Sequence, residues 1–496
     1  MFNRYYQDEL QNLRELAREF SLAHPAIAPL LSGPSSDPDV ERLLEGVAFL
    51  TGLLRRKIDD DFPEIIHSLT DSVFPHYLRP LPSASIVVFT PKPGLKEIVT
   101  VPAGVSLASI PVEGTHCIFR TCFDTEVHPL RLTAAEWSST GMRSARLRLG
   151  FELTGIMLPQ WRPKGLRLFL GDGGSDGADI LMLLAGSASK AGIVPAQGGE
   201  RLPLGPDDLV MTGFDPESRL VPFPTRSFMG YRLLQEYFFL PQKFLFLEIR
   251  GWDRWKNPGA GSAFDIIFDI ENPPTDPPRI RPDRFTLSAV PVVNLFNDDS
   301  DQMLVDHRTE RIRVRSARKN RLHYQVYSVD RVVGFEQGSV TRKEYRPLER
   351  YSRPDQAGSV YQVIRSKSVV DDTPEVYLSF TYPPDGPPPE PETLSLTLTY
   401  TNGTLPERLQ LGDISQQTSD SPGILDFRTI IPPTSPAEPV LGENALWRFV
   451  SHLSVNLLSI AGADTVQELL RLYVHSDATN RAKTAASLKR IDGIQD

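Results

Sequence analysis

Cysteine is nearly missing from this chain: 496 residues contain two, Cys117 and Cys122. Two cysteines cannot build a Cys-rich structural zinc site. Their odd spacing within a strand-like segment, Thr115 to Val127, sets them on opposite strand faces, badly placed to bond to each other. Unpaired thiols suit a reducing compartment, so residence in the cytoplasm is expected. Long apolar runs are missing too. The longest, such as Ile180 to Ala185, fall far short of the ~20 residues a membrane span requires, so no membrane insertion is expected. The N-terminus is polar from Asn3 onward and does not read as a signal peptide. Positive charge is also in deficit, with a net charge of −9. That argues against nucleic acid as a partner, since phosphate binding needs a basic stripe. The nine histidines include no H-E-x-x-H motif, and neither a metal nor another cofactor is expected.

What is present describes a globular protein, with 40% hydrophobic and 23% charged residues. The length exceeds what one core can serve and sets a prior of ~3 domains. Proline, at 44, outnumbers glycine, at 34, so many connections are stiff and many strands end at edges.

The fold class expected is multi-domain α+β, with an N-terminal helical segment, two mainly β regions and a C-terminal helix plus strand. Residues 1–80 form the helical region. Tyr6, Leu10, Leu13, Ala17 and Phe20 recur at helical spacing, and Pro25 stops that helix. Asp37-Pro38 reads as a cap with proline at the first helical position, opening a second helix through Val40, Leu43, Leu44, Val47, Leu50, Leu54 and Ile58. A third helix is expected from Pro63. Three such helices supply too small a core alone, so the stripe of Leu10, Leu13 and Phe20 is expected in a bundle shared with other subunits.

From Ser83 the period changes to that of strands, as in Ala145 to Leu149 and Phe264 to Phe268. A first β-rich domain is expected over 81–283, closing in a proline-rich edge. A second spans 284–440 and includes Val326 to Val329 and Leu394 to Leu398. Residues 441–496 read as a helix from Trp447 to Ser459 and a strand from Leu469 to Val474.

One match is enzyme-like. Gly173-Gly174-Ser175-Asp176-Gly177 fits the G-x-S-x-G nucleophile elbow, making a serine hydrolase centred on Ser175 one alternative. The surrounding glycines and aspartates favour a loose loop over the strained turn an elbow needs. His307, His323, His452 and His475 are candidate bases, but none lies in a motif that picks it out. A second alternative is a ligand-binding β-sandwich module, which would expose Trp161, Trp252 and Trp255 along a groove. The acidic clusters Asp298-Asp299-Ser300-Asp301 and Asp59-Asp60-Asp61 lack the ligand spacing of a calcium loop and read as a solvated turn and a helix end. No catalytic, cofactor or metal residue is assigned.

The most informative stretch is Gly230 to Leu247, where Tyr231, Tyr237, Phe238, Phe239 and Phe244 surround Arg232, Glu236 and Lys243. Aromatics interleaved with Arg serve packed cores and interface hot spots alike. If the segment is helical, Arg232 and Glu236 meet at i and i+4. The residues taken as interface candidates are Tyr6, Leu10, Leu13, Phe20, Tyr231, Arg232, Glu236, Tyr237 and Phe238.

This stretch resembles the central signature of the TssF family, baseplate subunits of bacterial type VI secretion systems. The resemblance continues through Tyr5 to Leu10, Asp37 to Gly46, Phe74-Pro75-His76-Tyr77-Leu78, Pro291 to Phe296, Thr401-Asn402-Gly403 and Ser451 to Asn456, in matching order. It implies a structural, non-enzymatic wedge subunit without cofactor. The implied partners are a second TssF copy, TssG, TssE, TssK and a hub carrying the VgrG spike. It also implies a cytoplasmic baseplate docked to an inner-membrane complex. Family members usually run on past Asp496, so a further C-terminal segment is expected to be absent here.

Overall fold

The computed structural model describes residues 2–23, 38–141, 143–171, 176–186, 188–223, 227–306, 308–318, 320–336, 342–348, 359–368, 373–382, 390–439, 441, 446, 448–453, 462–474 and 481–494. The protein is α+β, as its sequence pattern requires. Two N-terminal helices, α1 (Phe2–Ala23) and α2 (Pro38–Val73), pack side by side. Gly52 lets the two backbones approach, because a Cβ there would lie 3.3 Å from the Tyr6 amide nitrogen. Arg55 meets Glu9 at 2.6 Å and Arg14 meets Glu41 at 3.2 Å across the pair.

The helix expected to begin at Pro63 does not exist as a separate element, since α2 runs unbroken through that proline. The sequence explains why. Leu54, Ile58, Ile65, Leu69 and Val73 keep one helical phase across the proline, so the helical pattern continues past it. Asp59-Asp60-Asp61 accordingly lies inside a helix, not at its end.

Four larger sheets follow. A six-stranded sheet runs in the order Ile414–Gln416, Ser106–Val112, Thr115–Thr121, Ala289–Val293, Ala84–Pro91, Leu425–Thr429. Its outer strands meet: Ile414 N–H donates to Thr429 Oγ1 at 3.0 Å and Gly412 N–H to the Thr429 carbonyl at 3.0 Å. The sheet thus closes into a small barrel around Ile86, Phe89, Phe119, Val292 and Phe427. It takes strands from both sides of the 283/284 boundary drawn from sequence. Cys117 and Cys122 are both free and buried in this one core. The strand ends at Thr121, so alternation does not carry to Cys122 and the two thiols share a core despite their odd spacing.

A five-stranded sheet (Leu202–Leu204, Ala188–Pro195, Ala263–Glu271, Ser144–Leu153, Leu130–Gly141) and a four-stranded one (Leu209–Thr212, Phe246–Ile249, Leu166–Phe169, Thr286–Leu287) share a second core with α3 (Asp176–Gly186). The five-stranded sheet alternates cleanly, Phe264, Ile266, Phe268 and Ile270 pointing inward. Its outer face carries cross-strand ion pairs such as Arg131–Glu152 at 2.6 Å and Arg146–Asp269 at 2.7 Å.

An eight-stranded sheet between Phe296 and Thr401 encloses Val332, Leu378, Leu396 and Tyr400. Its ends are joined by a bridge between Ser300 and Ser316 and by Asp301 N–H donating to the Arg315 carbonyl at 3.2 Å. The two barrels are clasped by paired amides. Asn294 Oδ1 accepts from Asn402 N–H at 2.7 Å, and Asn294 Nδ2 donates to Asn402 Oδ1 at 2.8 Å and to the Ile118 carbonyl at 2.7 Å.

The C-terminal strand expected from Leu469 to Val474 is instead the end of a helix. Helix α4 (Met229–Phe239) lies mid-chain, while α5 (Ala463–Leu472) and α6 (Arg481–Asp492) end the chain. Val466, Leu469, Leu470 and Tyr473 fall at helical spacing, and a short apolar run does not by itself separate helix from strand. Of the helix expected over Trp447 to Ser459, residues 448–453 are helical and the remainder lies outside the described residues.

Candidate protein interface

The Gly230 to Leu247 segment folds as α4, a 3₁₀ turn at Pro241–Phe244 and the strand Phe246–Ile249, making a helix-to-strand corner. Proline at 241 ends the helix because it has no N–H to continue the ladder. The helical spacing brings Arg232 Nη1 to 3.3 Å from Glu236 Oε2, and the turn returns Lys243 Nζ to the same oxygen. Leu220 N–H donates to Glu236 Oε1 at 2.7 Å. Arg232 Nη2 donates to the Phe214 carbonyl at 2.5 Å.

Gly213 lets its loop approach the backbone of Lys243. Its φ is +105°, and a Cβ would sit 2.8 Å from the Lys243 carbonyl oxygen. The three charged side chains are 1%, 2% and 0% exposed for Arg232, Glu236 and Lys243. One carboxylate therefore serves two cations away from water. Burial pushes the Lys243 pKa below the usual lysine value, opposed by the attraction of Glu236.

The opposite side of α4 enters an aromatic seam. Tyr231 packs edge-on to Phe74 with centroids 5.9 Å apart, and to His452 at 4.4 Å. Phe74 precedes a 3₁₀ turn, Pro75–Tyr77, at the foot of α2. Tyr473, at the end of α5, places its hydroxyl 3.3 Å from His76 Nε2 and 2.8 Å from His452 Nε2. A phenol has one proton, so it donates to at most one of the two imidazoles, which couples the tautomers of the two rings. Burial holds the pKa of His76 down to about 3, helped by His452 and Arg79, and that of His452 down to about 4. Both imidazoles are neutral at physiological pH. The seam thus binds together the foot of α2, α4, residues 448–453 and α5.

The surface is different on the N-terminal helices. Leu50 and Leu54 on α2 are each 61% exposed, Phe20 on α1 is 48% exposed, and Leu16 and Leu43 are exposed beside them. Such a concentration of large apolar side chains in water marks a surface awaiting a partner.

The interface candidates divide accordingly. Tyr6, Leu10 and Leu13 are partly covered within the helix pair, and Phe20 is exposed. Tyr231, Arg232 and Glu236 are buried inside the chain, where they join its own elements and present no free area. Tyr237 is 44% exposed and Phe238 is partly covered. Sequence reasoning missed Lys243 as a partner of Glu236, and Tyr473 and Phe223 in the seam. Tyr473 and Phe223 are too far from α4 in sequence for a spacing rule, and Lys243 reaches Glu236 because the turn at Pro241–Phe244 folds the chain back.

The alternatives fare differently. Trp161, Trp252 and Trp255 are buried in one core, so they do not line a ligand groove. Ser175, His307 and His475 lie outside the described residues. His323 is buried, with Nδ1 2.8 Å from Thr115 Oγ1, and His452 is occupied by Tyr473. Among the described residues no group of three or more His, Cys, Asp or Glu could hold a metal ion. No described helix is long and apolar enough to cross a membrane.

Packed sheets carrying a helix pair with exposed apolar side chains are the features of a protein that packs against partners. The chain belongs to the TssF family of the type VI secretion system, whose family model matches residues 1–495. It is 29% identical to the type VI secretion system component TssF1 of Pseudomonas aeruginosa, an alignment covering 95% of this chain and 83% of that one. The fold matches a chain in a cryo-electron microscopy structure of a TssK-TssF-TssG baseplate subcomplex, with a TM-score of 0.75, 31% identity, and coverage of 90% and 84% of the two chains. It also matches a chain of a type VI secretion baseplate complex, with a TM-score of 0.58, 26% identity, and coverage of 99% and 86%.

Proposed function

We propose that this protein is a structural wedge subunit of a contractile type VI secretion baseplate, assembling with TssG and TssK. A second copy of the chain, TssE and the VgrG hub complete the assembly, which docks to the inner-membrane complex and starts growth of tube and sheath. Its chemistry is packing, with no catalytic step. The observation that carries this reading is the exposed apolar face of α1 and α2, centred on Leu50, Leu54 and Phe20. In the proposal Leu10, Leu13 and Phe20 join a helical bundle completed by partner helices. Tyr237 and Phe238 contribute the exposed rim of α4, while Arg232 and Glu236 act by holding α4 in place. Region 1–80 then serves as the bundle, 81–283 and 284–440 contribute strands jointly to the β body because the six-stranded sheet crosses their boundary, and 441–496 supplies the clasping C-terminal helices.

Co-expression with the TssG and TssK of the same organism tests it. Leu50→Asp with Leu54→Asp should abolish co-purification while the isolated chain keeps its thermal transition, because both side chains already face water. Retention of the full complex by that double variant would remove the hairpin from the interface.

A further inference from the structure

Open backbone edges are scarce in the described chain. Both barrels join their outer strands. The Leu202–Leu204 strand has three residues and contains Pro203, and the four-stranded sheet ends on Leu209–Thr212 and the two-residue Thr286–Leu287. Among the described strands the longest paired on one side alone is Leu130–Gly141, 12 residues that pair with Ser144–Leu153. From Arg131 to Gly141, no described backbone group outside that partner strand bonds to it. Bulges fall between Leu132 and Ala134 and between Ser139 and Gly141, leaving Ala134 to Ser139 regular.

Between the bulges every second residue turns its N–H and C=O away from the existing partner strand. Ala134, Ser138 and Ser139 are too small to screen those groups. On the core side Ala135 and Trp137 are partly covered and extend the apolar core toward the edge. On the solvent side Glu136 lies 3.0 Å from Arg148 on the neighbouring strand. An unpaired edge of this kind is a template for an added strand.

We infer that Ala134 to Ser139 receives an extended segment donated by a different subunit of the assembly, lying beside it as a sixth strand of the sheet. The donated segment carries apolar side chains opposite Ala135 and Trp137 and a basic one opposite Glu136. The bulges limit pairing to this short window, which disfavours indefinite stacking of copies. The inference rests on the chain being a baseplate subunit, and its test separates the two claims.

Hydrogen–deuterium exchange is followed on the free chain and on the complex co-expressed with TssG and TssK. In the free chain the outward amides of residues 134–139 should exchange fast, and in the complex they should slow by about tenfold or more. Ser138→Lys with Thr140→Lys, both at exposed positions, should restore fast exchange there while α1 and α2 stay protected. If α1 and α2 gain protection in the complex and residues 134–139 do not, the assembly reading stands and strand addition falls. Concentration-dependent slowing in the free chain would mean that copies pair with each other, and would overturn the heterologous donor. If no complex forms and no segment gains protection, both claims fall.

Discussion

The α1–α2 pair and the α4 corner invert the usual relation between sequence and surface. The helix pair reads as ordinary amphipathic helix, yet it leaves Leu43, Leu50 and Leu54 in water. The α4 corner reads as an interface motif, full of aromatics and charge, yet it hides Arg232, Glu236 and Lys243 almost completely. A conspicuous motif here marks an internal joint. The contact surface proposed here is the plainer element, because partner helices need only an apolar stripe, whereas a buried ion cluster needs each member in place.

The comparison is broken most severely at Glu236. Glu236→Gln strands two buried cations and should lower unfolding free energy by about 3–5 kcal/mol in chemical denaturation. Lys243→Met should cost less than half of that, since Arg232 and Glu236 remain a matched pair. Equal losses for the two would mean that the cluster does not act as a charge-balanced unit.

Acid provides the next largest effect and acts on the seam. His76 and His452 titrate near 6.5 when unfolded and near about 3 and about 4 when folded. The folded state therefore binds fewer protons than the unfolded state between those limits. Stability is fully present above pH ~6.5 and falls as pH drops, by up to ~1.4 kcal/mol per pH unit for each histidine. A double His76→Phe, His452→Phe variant should flatten that slope in urea denaturation at stepped pH. Tyr473→Phe, which keeps both imidazoles buried, should leave it steep.

The smallest effect sharpens the contrast from the surface side. Arg131 and Glu152 form a well-aligned but exposed pair at 2.6 Å. A double-mutant cycle to alanine should give a coupling within ~1 kcal/mol, fading with added salt. A coupling rivalling the Glu236 result would show that burial is not what separates the two regions.

Much of this was legible in the residues. Strict alternation marked Ala145 to Leu149 as a strand, Phe264 to Phe268 read as another, and the Arg232–Glu236 spacing anticipated the pair. What sequence could not supply was which distant motifs meet. Asn294 and Asn402 bond each other across more than a hundred positions, and His76 and His452 meet on Tyr473. These contacts follow from sheet closure and helix docking, which no local period encodes. The errors have local causes: an in-phase apolar stripe carried α2 through Pro63, and the short run at Leu469 to Val474 fitted either period.

The closed six-stranded barrel sets a schedule for biosynthesis. Phe89 pairs with Phe427, so about 340 residues leave the ribosome between the two, on the order of 20–70 s at ~5–20 residues per second. Throughout that interval the Ala84–Pro91 strand lacks its final neighbour, and the barrel cannot seal until Leu425–Thr429 has emerged. The long insertion between them holds the eight-stranded sheet, which can fold on its own strands while the first barrel waits. Nascent chains stalled before Leu425 should therefore keep one unsealed seam and call on chaperones, and emergence of the Leu425–Thr429 strand should act as the committing step of folding.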